Sequence, residues 1–120
     1  MILIVDDDLA FFQKAQAVLA NAADSGMLFA QDAAQAMKLL RSLSDEFSVA
    51  LIDLDLPGMN GFDLIGQIRK EYPQLPVIAM SGIFQSSVLE SAKAVGAVEL
   101  LSKPITQQWE STVERIRVHH

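Results

Sequence analysis

The chain has 120 residues, which supports one domain, and no cysteine, which excludes disulfides, zinc–thiolate sites, iron–sulfur clusters and cysteine nucleophiles. Nine Lys and Arg face 15 Asp and Glu, a net charge of -6, so general binding to nucleic-acid phosphates is not expected. At 51% hydrophobic residues the chain is too apolar to be disordered. Its apolar runs are strand-length, far below the ~20 residues of a membrane-spanning helix. No basic stretch precedes the first run as in a signal peptide, so no membrane role and a cytoplasmic location are expected.

Ile2-Leu3-Ile4-Val5 reads as a strand buried on both faces. Apolar residues at helical spacing follow from Leu9 to about Asn21, with Asp8 as the cap. Asp24-Ser25-Gly26 is a turn, and Met27 to Ala30 a second strand. Asp32 caps a helix carrying Ala36, Met37, Leu40 and Leu43, and Val49 to Ile52 is a third strand. Pro57-Gly58-Met59-Asn60-Gly61 is a loop, and a helix runs from Phe62 to about Tyr72. Val77 to Met80 is a fourth strand, and Val88, Ala92 and Val95 mark a helix that stops at Gly96. Val98 to Leu101 is a fifth strand, and Trp109, Val113 and Ile116 form the apolar stripe of a last helix. That stripe, and Phe11, Phe12 and Phe29, read as core. The domain is expected over residues 1–118, with His119-His120 as a tail of the kind a purification tag leaves.

Strands alternating with helices predict an α/β fold, a doubly wound five-stranded parallel sheet with five helices in three layers. In such sheets ligands bind outside the C-terminal strand ends. Asp6-Asp7-Asp8 follow strand one, Asp53 and Asp55 strand three, Ser81-Gly82 strand four, and Lys103-Pro104 strand five. Asp6, Asp7 and Asp53 packed together would repel one another unless a cation intervened, and an all-oxygen set suits a hard ion such as Mg2+. Lys103 adds a point charge for an anion and Ser81 a hydroxyl. Carboxylates, divalent cation, lysine and hydroxyl together suit phosphoryl transfer, with one carboxylate as nucleophile. Taken singly, each has a plainer explanation. The Asp triplet could be a helix start, Asp53-Leu54-Asp55 a polar loop, Ser81-Gly82 a turn and Lys103 a solvated side chain.

These segments resemble the receiver domain of a two-component response regulator, a flavodoxin-like fold, over essentially the whole chain. The resemblance is carried by Ile2 to Asp8, Leu51 to Leu64, Val77 to Gly82 and Gly96 to Pro104. It implies that Asp53 is the phosphoacceptor, taking a phosphoryl group from a phosphohistidine on a histidine kinase or phosphotransfer protein. It implies an Mg2+ site at Asp53, Asp7 (directly) and Asp6 (through water), with the Asp55 backbone carbonyl as a further ligand. Ser81 would turn toward the phosphoryl group and Lys103 would contact it, with a cis Lys103–Pro104 peptide. The switch would alter the face of the fourth helix, fifth strand and fifth helix. It would act through a partner protein or an output domain, without turnover as an enzyme and without direct nucleic-acid binding. The last helix is a candidate homodimer surface.

The chain departs from the family pattern at several points. Leu100 stands where many receivers carry Tyr or Phe, which puts aromatic rotamer switching in doubt. Asn60 stands where many have Asp, with little consequence expected. Asp55 places a carboxylate where it would disfavour a phosphoryl anion or help hold a cation or water. Ile83 offers no polar group to orient a hydrolytic water, so slow intrinsic dephosphorylation is expected. Asp53-Leu54-Asp55 also imitates the first motif of haloacid-dehalogenase-like phosphatases, but it lies mid-chain with Pro57 two residues on. A pseudo-receiver, keeping the fold without phosphorylation, is the other rival. A flavin-binding flavodoxin-like protein is discounted because the first loop is acidic. Asp6, Asp7, Asp8, Asp53 and Asp55 are five of the 15 acids, and the remaining 10 nearly balance the 9 bases. The net charge is thus mostly the property of one site.

Overall fold

A computed structural model describes residues 1–23, 26–56, 58–83 and 85–119. The turn read at Asp24-Ser25, the loop start at Pro57 and the tail residue His120 lie outside them. The elements are β1 (Ile2–Val5), α1 (Leu9–Val18), β2 (Met27–Ala30), α2 (Ala33–Leu43), a short 3-10 turn (Ser44–Glu46), β3 (Val49–Asp53), α3 (Gly61–Glu71), β4 (Val77–Ser81), α4 (Ser86–Val95), β5 (Glu99–Ser102) and α5 (Gln108–His119).

The five strands form one parallel sheet in the order β2-β1-β3-β4-β5. Its strand order reverses between β1 and β3, which is where a doubly wound sheet opens its ligand crevice. Alternation along the strands divides the core. Leu3, Val5, Ala50, Ile52, Val77 and Ala79 pack with Met37 and Leu40 of α2, Leu64 and Ile68 of α3 and Ala92 of α4. Ile2, Ile4, Val49, Leu51, Ile78 and Met80 face Phe11 and Ala15 of α1 and Trp109, Val113 and Ile116 of α5. Both faces being covered explains why β1, β3 and β4 are uninterrupted apolar runs rather than alternating ones. Phe12 and Phe29, read as core, are only half-buried and stack on each other with centroids 4.6 Å apart.

Helix starts follow the capping chemistry. Asp8 accepts the amide of Ala10 at 2.9 Å, Asp32 that of Gln35 at 2.8 Å, and Asn60 that of Asp63 at 2.9 Å. Asn60 thus does what an Asp would do there. α4 ends on Gly96, whose φ of 120° lies in the left-handed region that favours glycine.

The differences from the sequence reading are at element ends. α1 stops at Val18, three residues early, and Leu19 to Ala22 continue as turns. β3 and β4 each run one residue further, to Asp53 and Ser81, because those residues still sit in the ladder, Asp53 opposite Met80 and Ser81 opposite Ser102. β5 is shifted by one residue. His119 continues the last turn of α5 rather than starting a tail. No helix is long and apolar enough to cross a membrane among the described residues.

Candidate functional site

The ends of β1, β3 and β4 share one local device, in which the side chain of a strand's last residue, or of the one just after it, binds the amide two residues on. Asp6 Oδ1 accepts the N–H of Asp8 at 2.9 Å, Asp53 Oδ1 that of Asp55 at 3.0 Å, and Ser81 Oγ that of Ile83 at 3.0 Å. Side chains of these types turn the backbone this way at little cost. Here the three turns stand side by side, and each fixes its own side chain at the mouth of the crevice. Asp6, Asp53 and Ser81 are the buried polar residues of the described chain, at 0%, 5% and 4% exposure.

The second oxygens of the two buried aspartates meet the same partner. Lys103 Nζ lies 2.6 Å from Asp6 Oδ2 and 3.2 Å from Asp53 Oδ2. Its own position follows from β5, because the Lys103 amide donates to the Ser81 carbonyl at 2.8 Å; the Lys103–Pro104 peptide that follows is cis. Burial pushes the Asp6 carboxyl above the usual Asp value, and the hydrogen bond from Lys103 only partly opposes this. Burial alone would pull the Lys103 ammonium down, but the hydrogen bond and charge of Asp6, joined by those of Asp53, outweigh it and hold it above the usual lysine value.

Asp7 is exposed, at the rim. Carboxylate oxygens of Asp6, Asp7 and Asp53 all lie within 4.8 Å of one another. Three carboxylates, two of them buried, around a gap of that size form an all-oxygen donor set that fits a hard divalent cation. Asp55 is exposed, and its amide is what anchors Asp53. The structure therefore brings together the residues singled out in the sequence: Asp6, Asp7, Asp53, Ser81 and Lys103, with Asp55 beside them.

Two supporting residues were not assigned from sequence. Gly61 opens α3 directly against the end of β3, where a Cβ would collide with the Asp53 carbonyl oxygen and lie 2.5 Å from Leu54 Cα. A glycine in the first turn of a helix, directly after the capping residue Asn60, was the available signal, since glycine is a poor helix former. Phe11 of α1 lies under Lys103, with Nζ 4.5 Å from its ring centroid. Leu100, at the position discussed above, is 4% exposed and packed in the core on the side of α2, α3 and α4.

A family model for the response regulator receiver domain matches residues 2–113. The two-component response regulator ARR14 of Arabidopsis thaliana is 32% identical over 95% of this chain and 31% of its own length. The DNA-binding transcriptional regulator NtrC of Escherichia coli K12 is 31% identical over the whole chain and 25% of its own length. Among solved structures, the receiver domain of NtrX from Brucella abortus superposes with a TM-score of 0.88 at 26% identity, covering both chains completely. The parallel sheet with an acidic crevice at its switch point is thus a receiver fold. The chain belongs to the response regulator receiver domain family, signalling modules of two-component systems. It spans about a quarter to a third of the length of these curated relatives.

Proposed function

We propose that this domain is a phosphorylation-dependent switch in which Asp53 takes the phosphoryl group of a phosphohistidine on a histidine kinase or phosphotransfer protein. The observation that carries this reading is the setting of Asp53. It is a buried carboxylate with one oxygen fixed by the Asp55 amide and the other 3.2 Å from a lysine ammonium, beside two further carboxylates.

An Asp53 oxygen attacks phosphorus, the P–N bond breaks, and its electron pair stays on the imidazole nitrogen. Asp6, Asp7 and Asp53, with the Asp55 carbonyl, would hold Mg2+, which when bound supplies positive charge to offset the phosphoryl oxygens. Lys103 already faces Asp53 and offsets the charge that builds there. The Ser81 hydroxyl donates to a phosphoryl oxygen, a bond that exists only once the group has arrived. Such a differential contact can bias a two-state loop. The same Oγ accepts the Ile83 amide at 3.0 Å, so a turn of Ser81 toward the phosphoryl group acts on the segment leading into α4. The altered surface is the face of α4, β5 and α5, read by a partner protein or an output domain. The domain itself is phosphorylated and dephosphorylated without turning over a substrate.

Incubation with acetyl phosphate and Mg2+, followed by intact-protein mass measurement, tests the reading. A single phosphoryl adduct is expected for the wild type and none for Asp53→Asn. Absence of an adduct on the wild type under these conditions would leave a pseudo-receiver.

A further inference from the structure

The crevice is joined to α5 by a chain of three side chains on the side of the sheet away from Leu100. Lys103 Nζ sits 4.5 Å above the Phe11 ring, and the Phe11 ring lies 5.9 Å from that of Trp109 at an interplanar angle of 57°. Phe11 and Trp109 are 7% and 3% exposed, so both rings are largely buried, and partial desolvation strengthens a cation–π contact. The tilted ring pair is a favoured aromatic geometry. Trp109 lies in the first turn of α5.

We infer that Phe11 reads the position of the Lys103 ammonium and passes it to α5 through Trp109. This rests on the proposal that Asp53 is phosphorylated. In the unphosphorylated domain the ammonium is shared between Asp6, Asp53 and the Phe11 ring. A phosphoryl group on Asp53 presents new anionic oxygens beyond the Asp53 carboxylate, and these draw the ammonium off the ring. Phe11 then loses its cationic partner in the phosphorylated state only, which is the differential contact a population shift requires. A cleft of about 310 Å³ opens beside Phe11, Lys103, Pro104 and Ile105, so the Phe11 ring has room to resettle once the ammonium has left it. The route matters in this chain because Leu100 fills the alternative position with an aliphatic side chain that is already buried.

Trp109 is the chain's single tryptophan, so its emission reports on the last link directly. The full chain is phosphorylated with acetyl phosphate and Mg2+, and fluorescence and intact mass are recorded on the same sample. The wild type should change its Trp109 emission in proportion to the adduct. Phe11→Leu should accept the phosphoryl group but show an emission change reduced several-fold, and Phe11→Tyr, which keeps a ring, should restore it. In the wild type the Phe11 ring proton resonances should shift with the adduct, a readout that does not depend on any variant folding. An adduct with no change at Trp109 or Phe11, or an equal Trp109 response in Phe11→Leu, overturns the relay while leaving phosphorylation standing. No adduct on the wild type overturns both.

Discussion

Lys103 is bound more closely by Asp6 than by Asp53, at 2.6 Å against 3.2 Å. Asp6 is fully buried and Lys103 is 23% exposed, so the ammonium's principal task in the unphosphorylated domain is to neutralise Asp6. The pH dependence follows. The folded-state pKa of Lys103 is raised above lysine's ordinary 10.5. Its stabilising contribution is therefore fully present below 10.5 and lost as pH rises through the folded value. Replacing Lys103 by Met in the presence of chelator should cost roughly 2 kcal/mol, below the range for breaking a fully buried pair because Lys103 keeps some contact with water. Urea denaturation of both proteins should give a constant difference between about pH 7 and 9 that shrinks at higher pH. A difference that grows with pH would contradict the assignment.

Asp6 titrates with the opposite consequence. Its folded-state pKa is raised above 3.8, so the folded domain holds the proton more tightly, and stability from this group falls as pH climbs from 3.8 through the folded value. Asp6→Asn should remove that loss. Relative to the wild type, the variant should gain stability between acidic and neutral pH in chelator, as measured by thermal melts across that range.

A cation held by Asp6, Asp7 and Asp53 stabilises the native state by mass action. At a hundredfold excess over Kd this is about 2.7 kcal/mol, or roughly 10 °C in Tm for a domain of this size. Melting curves in Mg2+ and in chelator should differ by that order, and the difference should collapse in Asp7→Asn. Superimposable wild-type curves would contradict the metal site.

Gly61 is needed for space rather than for flexibility. Gly61→Ala puts a Cβ against the Asp53 carbonyl oxygen and Leu54 Cα. The start of α3 must then move away from β3, costing about 2 kcal/mol as for other overpacked sites, despite alanine's better helix propensity. Gly66 of the same helix has nothing within 4 Å of such a Cβ. Gly66→Ala should therefore be neutral or stabilising by up to ~1 kcal/mol. Denaturant midpoints of the two variants make the comparison.

Ile83 is 59% exposed, and its amide is held by Ser81 Oγ. An apolar side chain at this place on the crevice rim cannot orient a water for attack on an acyl phosphate. The phosphorylated domain should persist for minutes or longer, and Ile83→Asn should shorten its lifetime. Decay followed by intact mass after removal of acetyl phosphate checks this, and a wild-type lifetime of seconds would contradict it.

Much of the site was legible because its parts are local. The apolar run Ile2 to Val5 announces a buried strand, and the acids that follow it must lie at that strand's end. Parallel topology then brings Asp6, Asp53, Ser81 and Lys103 to one edge without any further information. Asp8 and Asp32 announced their helices for the same reason, since capping involves neighbours in sequence. What could not be read depends on distance in space. Nothing in the periodicity of α1 distinguishes Phe11 as the ring beneath Lys103 from Phe12 as the ring stacked on Phe29. The space that excludes a Cβ at Gly61 is made by a strand end that the sequence separates from it by a loop. The end of α1 was misplaced because Leu19 and Ala22 stay buried, and so continue the apolar pattern, after the helix has given way to turns.

The central claim is that one carboxylate among several neighbours is the acceptor. Phosphorylation with acetyl phosphate and Mg2+, reduction of the acyl phosphate with borohydride and peptide mapping identify the residue directly. Homoserine at position 53, with Asp6, Asp7 and Asp55 unchanged, is the result this account predicts. Label at Asp6, Asp7 or Asp55, or at no residue, would contradict it.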